Sequence, residues 1–144
     1  MQATQQETRL NRTAIAAIAN EQGQILRNFL IDRMYGQGRP EKTDATLSIT
    51  ISQAEEDLGL QRDATTLRRK VTYTAAYTLT DNATHKLLYT GTSRTLVSYD
   101  KINAQYGAMV SRESAGKRAM RDLSDLIITQ LLVYYGKKDN EPAL

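Results

Sequence analysis

The 144-residue sequence has no cysteine and no tryptophan, and it has a single histidine. Without cysteine the sequence offers no disulfide, no thiolate metal site, no thiol nucleophile and no residue that could carry a lipid anchor. Histidine is the commonest general base near neutral pH, and the lone His85 falls in a predicted hairpin turn, where a solvated surface histidine is expected. We therefore predict that the protein is not an enzyme and needs no cofactor.

Long apolar runs are absent as well. The uncharged run Leu126–Tyr135 supplies about half of the ~20 apolar residues that a membrane-spanning helix requires. The sequence does not start with the basic and then apolar stretch of a signal peptide, so we interpret Met1 as a start codon placed before a mature sequence. The length suffices for one hydrophobic core, and we expect one domain at residues 11–136, between a flexible leader (1–10) and a flexible charged tail (137–144).

Charge gives only a slight preference for acidic partners, because 19 lysine and arginine residues stand against 16 aspartate and glutamate residues. An ordinary solvated surface would have the same balance. The three consecutive carboxylates Glu55, Glu56 and Asp57 could attract a divalent cation, but consecutive residues point in different directions and no calcium-loop spacing surrounds them. We predict no metal site.

Apolar residues at helical spacing predict two helices. The first begins at Asn20, a predicted N-cap, and ends at Gly36; the second follows Ser111, another predicted cap, and ends at Gly136. The loop Gly36–Pro40 has two glycines but lacks the GK[ST] sequence of a phosphate-binding loop, so we interpret it as a helix stop.

Strand signals precede the first helix and fill the middle of the chain. They mark Arg12–Ala19, Ala45–Ser52, Leu67–Thr80 and Lys86–Tyr99. The turn residues Asp81–Thr84 predict a hairpin between the last two strands, with a bulge near Gly91 where the alternation slips. The predicted fold is therefore α+β in the order β-α-β-β-β-α, with two helices on one face of a four-stranded mixed sheet.

The sheet face away from the helices is predicted to be nearly uncharged. A solvated antiparallel face usually carries lysine, glutamate and arginine, whereas a flat face of small residues suits close contact with another protein. The high β propensity of threonine is an equally good explanation. The candidate partner interface consists of Thr46, Ser48, Thr50, Thr72, Thr74 and Thr78.

A basic cluster stands where the second strand leads into the third. Its members are the candidate ligand-binding residues Arg62, Arg68, Arg69 and Lys70. Because Val71 and Tyr73 should face the core, Arg68 and Lys70 should point to the opposite face, with Arg69 at the margin of the sheet. Guanidinium and ammonium groups bind phosphate well, so the cluster is either an anion site or a solvated run of charge.

The segment Gly23–Leu30, GQILRNFL, resembles the GQ-x-LRN-x-L segment that opens the first helix of LptE-type lipoproteins. The resemblance covers Leu10–Gly136. It continues in order through the alternating strand Leu47–Ile51, YTLTD at Tyr77–Asp81, GTS at Gly91–Ser93, SYD at Ser98–Asp100 and a long helix after Gln105–Gly107.

The resemblance implies a mature lipoprotein, tethered through an N-terminal lipid to the periplasmic side of the outer membrane. Such a protein sits inside the β-barrel of LptD, helps that barrel assemble and contacts lipopolysaccharide during export. No basic residue here can be matched to a ligand-binding position of the family. The alternative is a small basic nucleic-acid-binding module, which needs aromatic residues on an open sheet face; Tyr73 and Tyr77 are predicted on the helix side, so nucleic acid is not expected as a partner.

Overall fold

A computed structural model describes residues 5–36, 38–60, 66–102 and 105–140. Seven helices and strands follow one another in these ranges. They are α1 (Gln5–Asn11), β1 (Thr13–Ile15), α2 (Asn20–Met34), β2 (Ala45–Leu60), β3 (Thr66–Asp81), β4 (Leu87–Ile102) and α3 (Gln105–Asn140).

The strands form one sheet in the order β1-β2-β3-β4. The short strand β1 runs parallel to the start of β2, and β2, β3 and β4 pair antiparallel along most of their length. Both α2 and α3 lie on one face of this sheet, α2 near β1 and β2 and α3 against β4. The predicted α+β class and mixed four-stranded sheet are thus confirmed.

The core lies between the sheet and the two helices. Odd-numbered residues of β2 and β3 face inward, so Leu47, Tyr77 and Leu79 are almost completely buried, as the two-residue period requires. The helices cover these strand residues with Leu26 and Leu30 of α2 and with a long stripe of α3. The buried stripe of α3 consists of Ala115, Ala119, Met120, Leu123, Ile127, Ile128, Leu131 and Tyr135.

The predicted flexible leader is wrong for the residues that the structure describes, because Gln5–Asn11 forms α1. Leu10 is 5% exposed and belongs to the core. Immediately after α1, the hydroxyl oxygens of Thr13 and Tyr135 lie 2.7 Å apart, which joins the start of the fold to the end of α3. With seven residues and one buried apolar side chain, α1 has no helical period that could be recognised in the sequence. Its helical structure therefore depends on tertiary contacts.

Both long helices differ from prediction at their ends. Asn20 has a φ of 76° and begins α2 after Ala19, which occupies the N-cap position without a side-chain hydrogen bond, so the predicted capping role of Asn20 is wrong. Asparagine tolerates this left-handed backbone better than most residues. Helix α3 begins at Gln105, before Ser111, and continues through Gly136 to Asn140, so the start of the predicted tail is helical. Residues 141–144 lie outside the described ranges.

The predicted β3–β4 hairpin is confirmed, and hydrogen bonds from a side chain to the backbone stabilise its turn. The Asp81 carboxylate accepts hydrogen bonds from the backbone N–H groups of Ala83, at 3.1 Å, and Thr84, at 2.8 Å. The bulge lies at Leu88, because Leu79 pairs with Tyr89 whereas Thr80 pairs with Leu87. The predicted bulge near Gly91 is therefore displaced by three residues; Gly91 instead pairs with Tyr77 in regular register.

Candidate functional site

The sheet face opposite the helices, here called the outer face, consists of the even-numbered side chains of β2, β3 and β4. The register pairs Thr46 with Thr80, Ser48 with Thr78, and Ser52 with Thr74. All six predicted interface residues therefore lie on this face. Ser48 and Thr50 are exposed, and the other four are half-buried.

β4 extends the outer face with residues that the sequence interpretation did not include. Thr74 pairs with Arg94 and Thr72 with Leu96, and both partners are exposed. Arg94 is the single charged residue among the outer-face positions from Thr46 to Thr72 in the described part of the chain. Counting back in twos from Tyr99, which is buried, would have placed it on the outer face.

The basic cluster occupies the distal end of the sheet, where β2 leads into β3. Arg68 and Lys70 lie on the outer face as predicted, and Arg69 shares the inward parity of Val71 and Tyr73. Arg62 lies outside the described residues. The structure thus brings Arg68 and Lys70 together on one face and separates Arg69 from them.

Carboxylates from β2 neutralise half of this cluster. Arg69 Nε donates to Asp57 Oδ1 at 2.8 Å, and Arg69 Nη1 lies 3.2 Å from Glu55 Oε2. Lys70 Nζ lies 3.3 Å from Glu56 Oε2. These pairs join neighbouring strands and are invisible along the sequence, where the basic run Arg68–Lys70 contains no acidic residue.

Arg68 differs from its neighbours. Its Nη2 group donates to the Ser98 hydroxyl at 3.4 Å, and the β2 carboxylates pair with Arg69 and Lys70 and not with it; its strand partner on β4 is Asp100. Arg94 likewise has no ion pair within the described ranges. The cations that remain available for an external anion on the outer face are therefore Arg68 and Arg94, with Lys70 partly compensated by Glu56.

The three carboxylates considered as a metal site, Glu55, Glu56 and Asp57, pair instead with Arg69 and Lys70. Within the described ranges, no three histidine or carboxylate side chains converge as metal ligands would. His85 lies exposed in the hairpin turn with a φ of 60°. Neither α1, α2 nor α3, as far as they are described, is long and apolar enough to cross a membrane.

The tyrosines that a nucleic-acid surface would need lie under the helices. Tyr73 and Tyr77 are 4% and 1% exposed, and burial raises the pKa of both phenols. The Tyr77 hydroxyl donates to Gln130 of α3. Among the side chains that the structure describes, the outer face carries no aromatic ring on which a base could stack.

The family model described as LptE, lipopolysaccharide-assembly, matches residues 10–131. The chain belongs to the LptE family. A search of curated proteins found no match to this LptE-family chain.

Solved structures share its fold. A protein from Caulobacter crescentus CB15, assigned as a lipoprotein, has a TM-score of 0.78 at 18% identity and covers 97% of this chain and 100% of its own. Rare lipoprotein B from Shewanella oneidensis has a TM-score of 0.65 at 10% identity, covering 89% and 98%. Lipoprotein B from Nitrosomonas europaea has a TM-score of 0.60 at 18% identity, covering 92% and 90%. At these identities the likeness concerns the fold.

Proposed function

We propose that this LptE-family protein is a non-enzymatic component of outer-membrane lipopolysaccharide assembly. In this role it occupies the lumen of an LptD-type β-barrel, helps that barrel assemble and binds lipopolysaccharide. We further propose that the natural protein is tethered through an N-terminal lipid to the periplasmic side of the outer membrane, as the lipoprotein names of its structural neighbours suggest.

The observation that carries the proposal is the outer face. Three long strands present rows of threonine, serine and alanine there, with Arg94 as the one charge between Thr46 and Thr72. Small uncharged side chains leave a surface that another polypeptide can approach closely without burying an unpaired charge. At the turn end, Thr46 Oγ1 already donates to Asn82 Oδ1 at 2.6 Å, so the middle of the face, around Ser48 and Thr74, is the available contact.

The distal end supplies what a phosphorylated lipid requires. Arg68 lies there, on the same face as the uncharged rows, and no β2 carboxylate pairs with it; Arg94 lies nearer the middle of the face, opposite Thr74. Guanidinium groups bind phosphate through charge-assisted hydrogen bonds, and lipid A carries phosphates. One continuous surface can therefore contact a protein along its centre and an anionic ligand at its end.

Substitution of the outer face tests the barrel contact. Ser48→Arg and, separately, Thr74→Arg should abolish co-purification with the LptD-type barrel, because each places a large charge in the centre of the flat surface. Gln24→Arg adds the same charge on the exposed side of α2 and should leave co-purification unchanged. Circular dichroism on the isolated variants checks that they fold; folded Ser48→Arg and Thr74→Arg that still co-purify would refute the interface.

The tether has a separate test. The natural gene, expressed with its own upstream sequence in the source cells, should give a protein that incorporates a radiolabelled fatty acid and fractionates with the outer membrane. A product that remains unlabelled and fractionates with cytoplasmic proteins would contradict the proposed localisation and favour the nucleic-acid alternative.

A further inference from the structure

β4 is the outermost strand of the sheet, and no strand in the described ranges pairs with its outer side. In an edge strand, alternate residues direct their N–H and C=O groups away from the sheet, where they can pair with another chain. Natural proteins usually protect such an edge with charges, proline or a short strand length. β4 has 16 residues, and from Leu87 to Tyr99 its sequence contains one charge, Arg94, and no proline.

The opposite edge of the sheet is built differently. There β2 extends beyond the short β1, and it carries Glu55, Glu56 and Asp57. From Ala45 to Asp57, no large apolar side chain is exposed on that edge. The contrast indicates that the two edges do not have the same use.

Exposed large apolar side chains gather beside β4. The described part of the chain has four of them, and Leu87 (61% exposed) and Leu96 (55%) belong to β4 itself. Leu126 (41%) and Val133 (52%) belong to α3, which among the strands contacts chiefly β4. The rings of Tyr134 and Tyr89 stack at 5.0 Å, which fixes the C-terminal half of α3 above this strand.

Helical geometry places Leu126 and Val133 on the free-edge side of α3. The flank of α3 toward α2 is marked by Arg121, whose guanidinium lies over the Phe29 ring, and by Asp125, which pairs with Arg33. Leu126 and Val133 are seven residues apart, hence on one line along the helix, and about 100° per residue puts them on the flank away from α2. That flank overhangs the position where a fifth strand would lie.

We propose that the β4 edge binds an extended segment of a partner protein as a fifth, antiparallel strand. The backbone of β4 would pair with the segment, and Leu126 and Val133 would cover its side chains on the helix side. The segment must therefore carry apolar residues at alternate positions, and it needs no complementary charge where it pairs with Leu87–Tyr99, which carries only Arg94. This interaction goes beyond the barrel contact, which uses the outer face.

A second copy of this chain does not fit the same edge. Antiparallel pairing of two β4 strands would place both copies of α3 on one face of the joined sheet, and each helix lies over its own β4. Paired strands are about 4.8 Å apart, whereas packed helices need about 8–10 Å. The two copies of α3 would collide, so the occupant has to be a strand without a helix above it.

Amide hydrogen exchange followed by NMR tests the proposal on the whole chain. The probe is a synthetic peptide of about ten residues in which valine and threonine alternate, with a lysine at each end for solubility. At millimolar peptide, every second amide of β4 between Tyr89 and Val97 should become protected, because only the outward N–H groups gain partners. A peptide N-methylated on the edge that would pair with β4 should give no protection.

Paired variants locate the contact. Leu126→Lys combined with Val133→Lys should weaken binding of the peptide roughly tenfold or more, because the apolar cover of the added strand is lost. Asn28→Lys on the exposed side of α2 should not change the affinity. The proposal is overturned if protection is absent or lacks the two-residue period, if it falls on β2, or if sedimentation shows that the peptide-free protein dimerises through β4. Failure of the barrel co-purification alone would leave it standing.

Discussion

Tyr77 of β3 lies directly across Gly91 of β4, and the two residues fit only because glycine has no side chain. A Cβ atom at position 91 would lie 2.5 Å from Tyr77 Cζ, far inside van der Waals contact. Tyr77 itself is 1% exposed and reaches across Gly91 toward Gln130 of α3. The absence of a side chain in β4 therefore creates the space in which the largest fully buried side chain connects sheet and helix.

Gly91→Ala should lower the free energy of unfolding by about 1–3 kcal/mol, since Tyr77 must leave its position or push β4 outward. Chemical denaturation measures the change. Tyr77→Leu removes the ring that collides, so the double variant should be less destabilised than the sum of the two single variants. Strict additivity in this cycle would show that the two residues do not share the space.

Leu10→Ala should destabilise the protein by about 2–5 kcal/mol, the usual cost of deleting a buried leucine side chain. Leu10 is 5% exposed although it lies at the start of the fold, in α1. Leu87→Ala, the same substitution at a leucine that is 61% exposed, serves as the matched control and should alter stability much less. Equal, small effects of both substitutions on the denaturation midpoint would restore the prediction of a flexible leader.

Arg68→Glu should weaken binding of purified lipopolysaccharide more than Lys70→Glu does, because Lys70 is partly neutralised by Glu56 and no β2 carboxylate pairs with Arg68. Arg69→Gln should change affinity little, since Arg69 is held by Asp57 and Glu55 on the other face. The affinity of the unmodified protein should also fall as salt rises, because screening acts over about 8–10 Å at physiological ionic strength.

Binding and thermal melting need to be measured on the same samples of these three variants. Loss of affinity in a folded Arg68→Glu protein supports the distal end as the ligand site. An unchanged affinity for folded Arg68→Glu, or an equal loss for Arg69→Gln, would place the lipopolysaccharide contact elsewhere.

Stability should fall in alkaline solution. Burial raises the pKa of Tyr73, Tyr77 and Tyr135 above the ordinary value of 10.0. The unfolded chain releases these protons near pH 10 and the folded chain retains them, so the stabilisation is complete below pH 10 and is lost as the pH rises further. Each such tyrosine can contribute up to about 1.4 kcal/mol per pH unit in that window.

Tyr73→Phe isolates one part of this effect, because phenylalanine keeps the ring and cannot ionise. The difference in unfolding free energy between Tyr73→Phe and the unmodified protein should shift in favour of the variant between pH 9 and pH 11. Lysine titration affects both proteins equally and cancels. A difference that stays constant over this range would mean that Tyr73 ionises as readily in the folded chain as in the unfolded one.

Periodicity alone predicted the sheet, the hairpin and the central parts of both long helices. Apolar residues recur every second position around Leu47 and Tyr77, as in a strand, and every three or four positions around Leu123, as in a helix. The helix boundaries were less predictable. Gly136 was expected to end α3, yet the helix continues past it to Asn140, since a glycine inside a packed helix costs only about 1 kcal/mol. Helix α1 packs against α3, which lies at the other end of the chain, and a local pattern of residues does not contain that contact.

The sequence predicted which face of the sheet the candidate site residues occupy, but it did not predict their ion-pair partners. Alternation along β3 placed Thr72, Thr74 and Lys70 on the outer face. The ion pair of Lys70 with Glu56 comes from the neighbouring strand, and its register is a long-range property that a single run of residues does not contain. Arg94 was missed for a different reason: the predicted outer face was drawn from β2 and β3 alone, and alternation along β4 back from Tyr99 would have included Arg94.

The extra residue in the hairpin is Leu88, and it sets the register of β4 against β3. With the bulge, Tyr89, Val97 and Tyr99 face the helices; pairing without it would shift β4 by one position and turn Arg94 and Leu96 inward. Deleting Leu88 should therefore keep Tyr89, Val97 and Tyr99 facing the helices, because Thr80 would still pair with Leu87 and Leu79 with Tyr89, now without an extra residue between them.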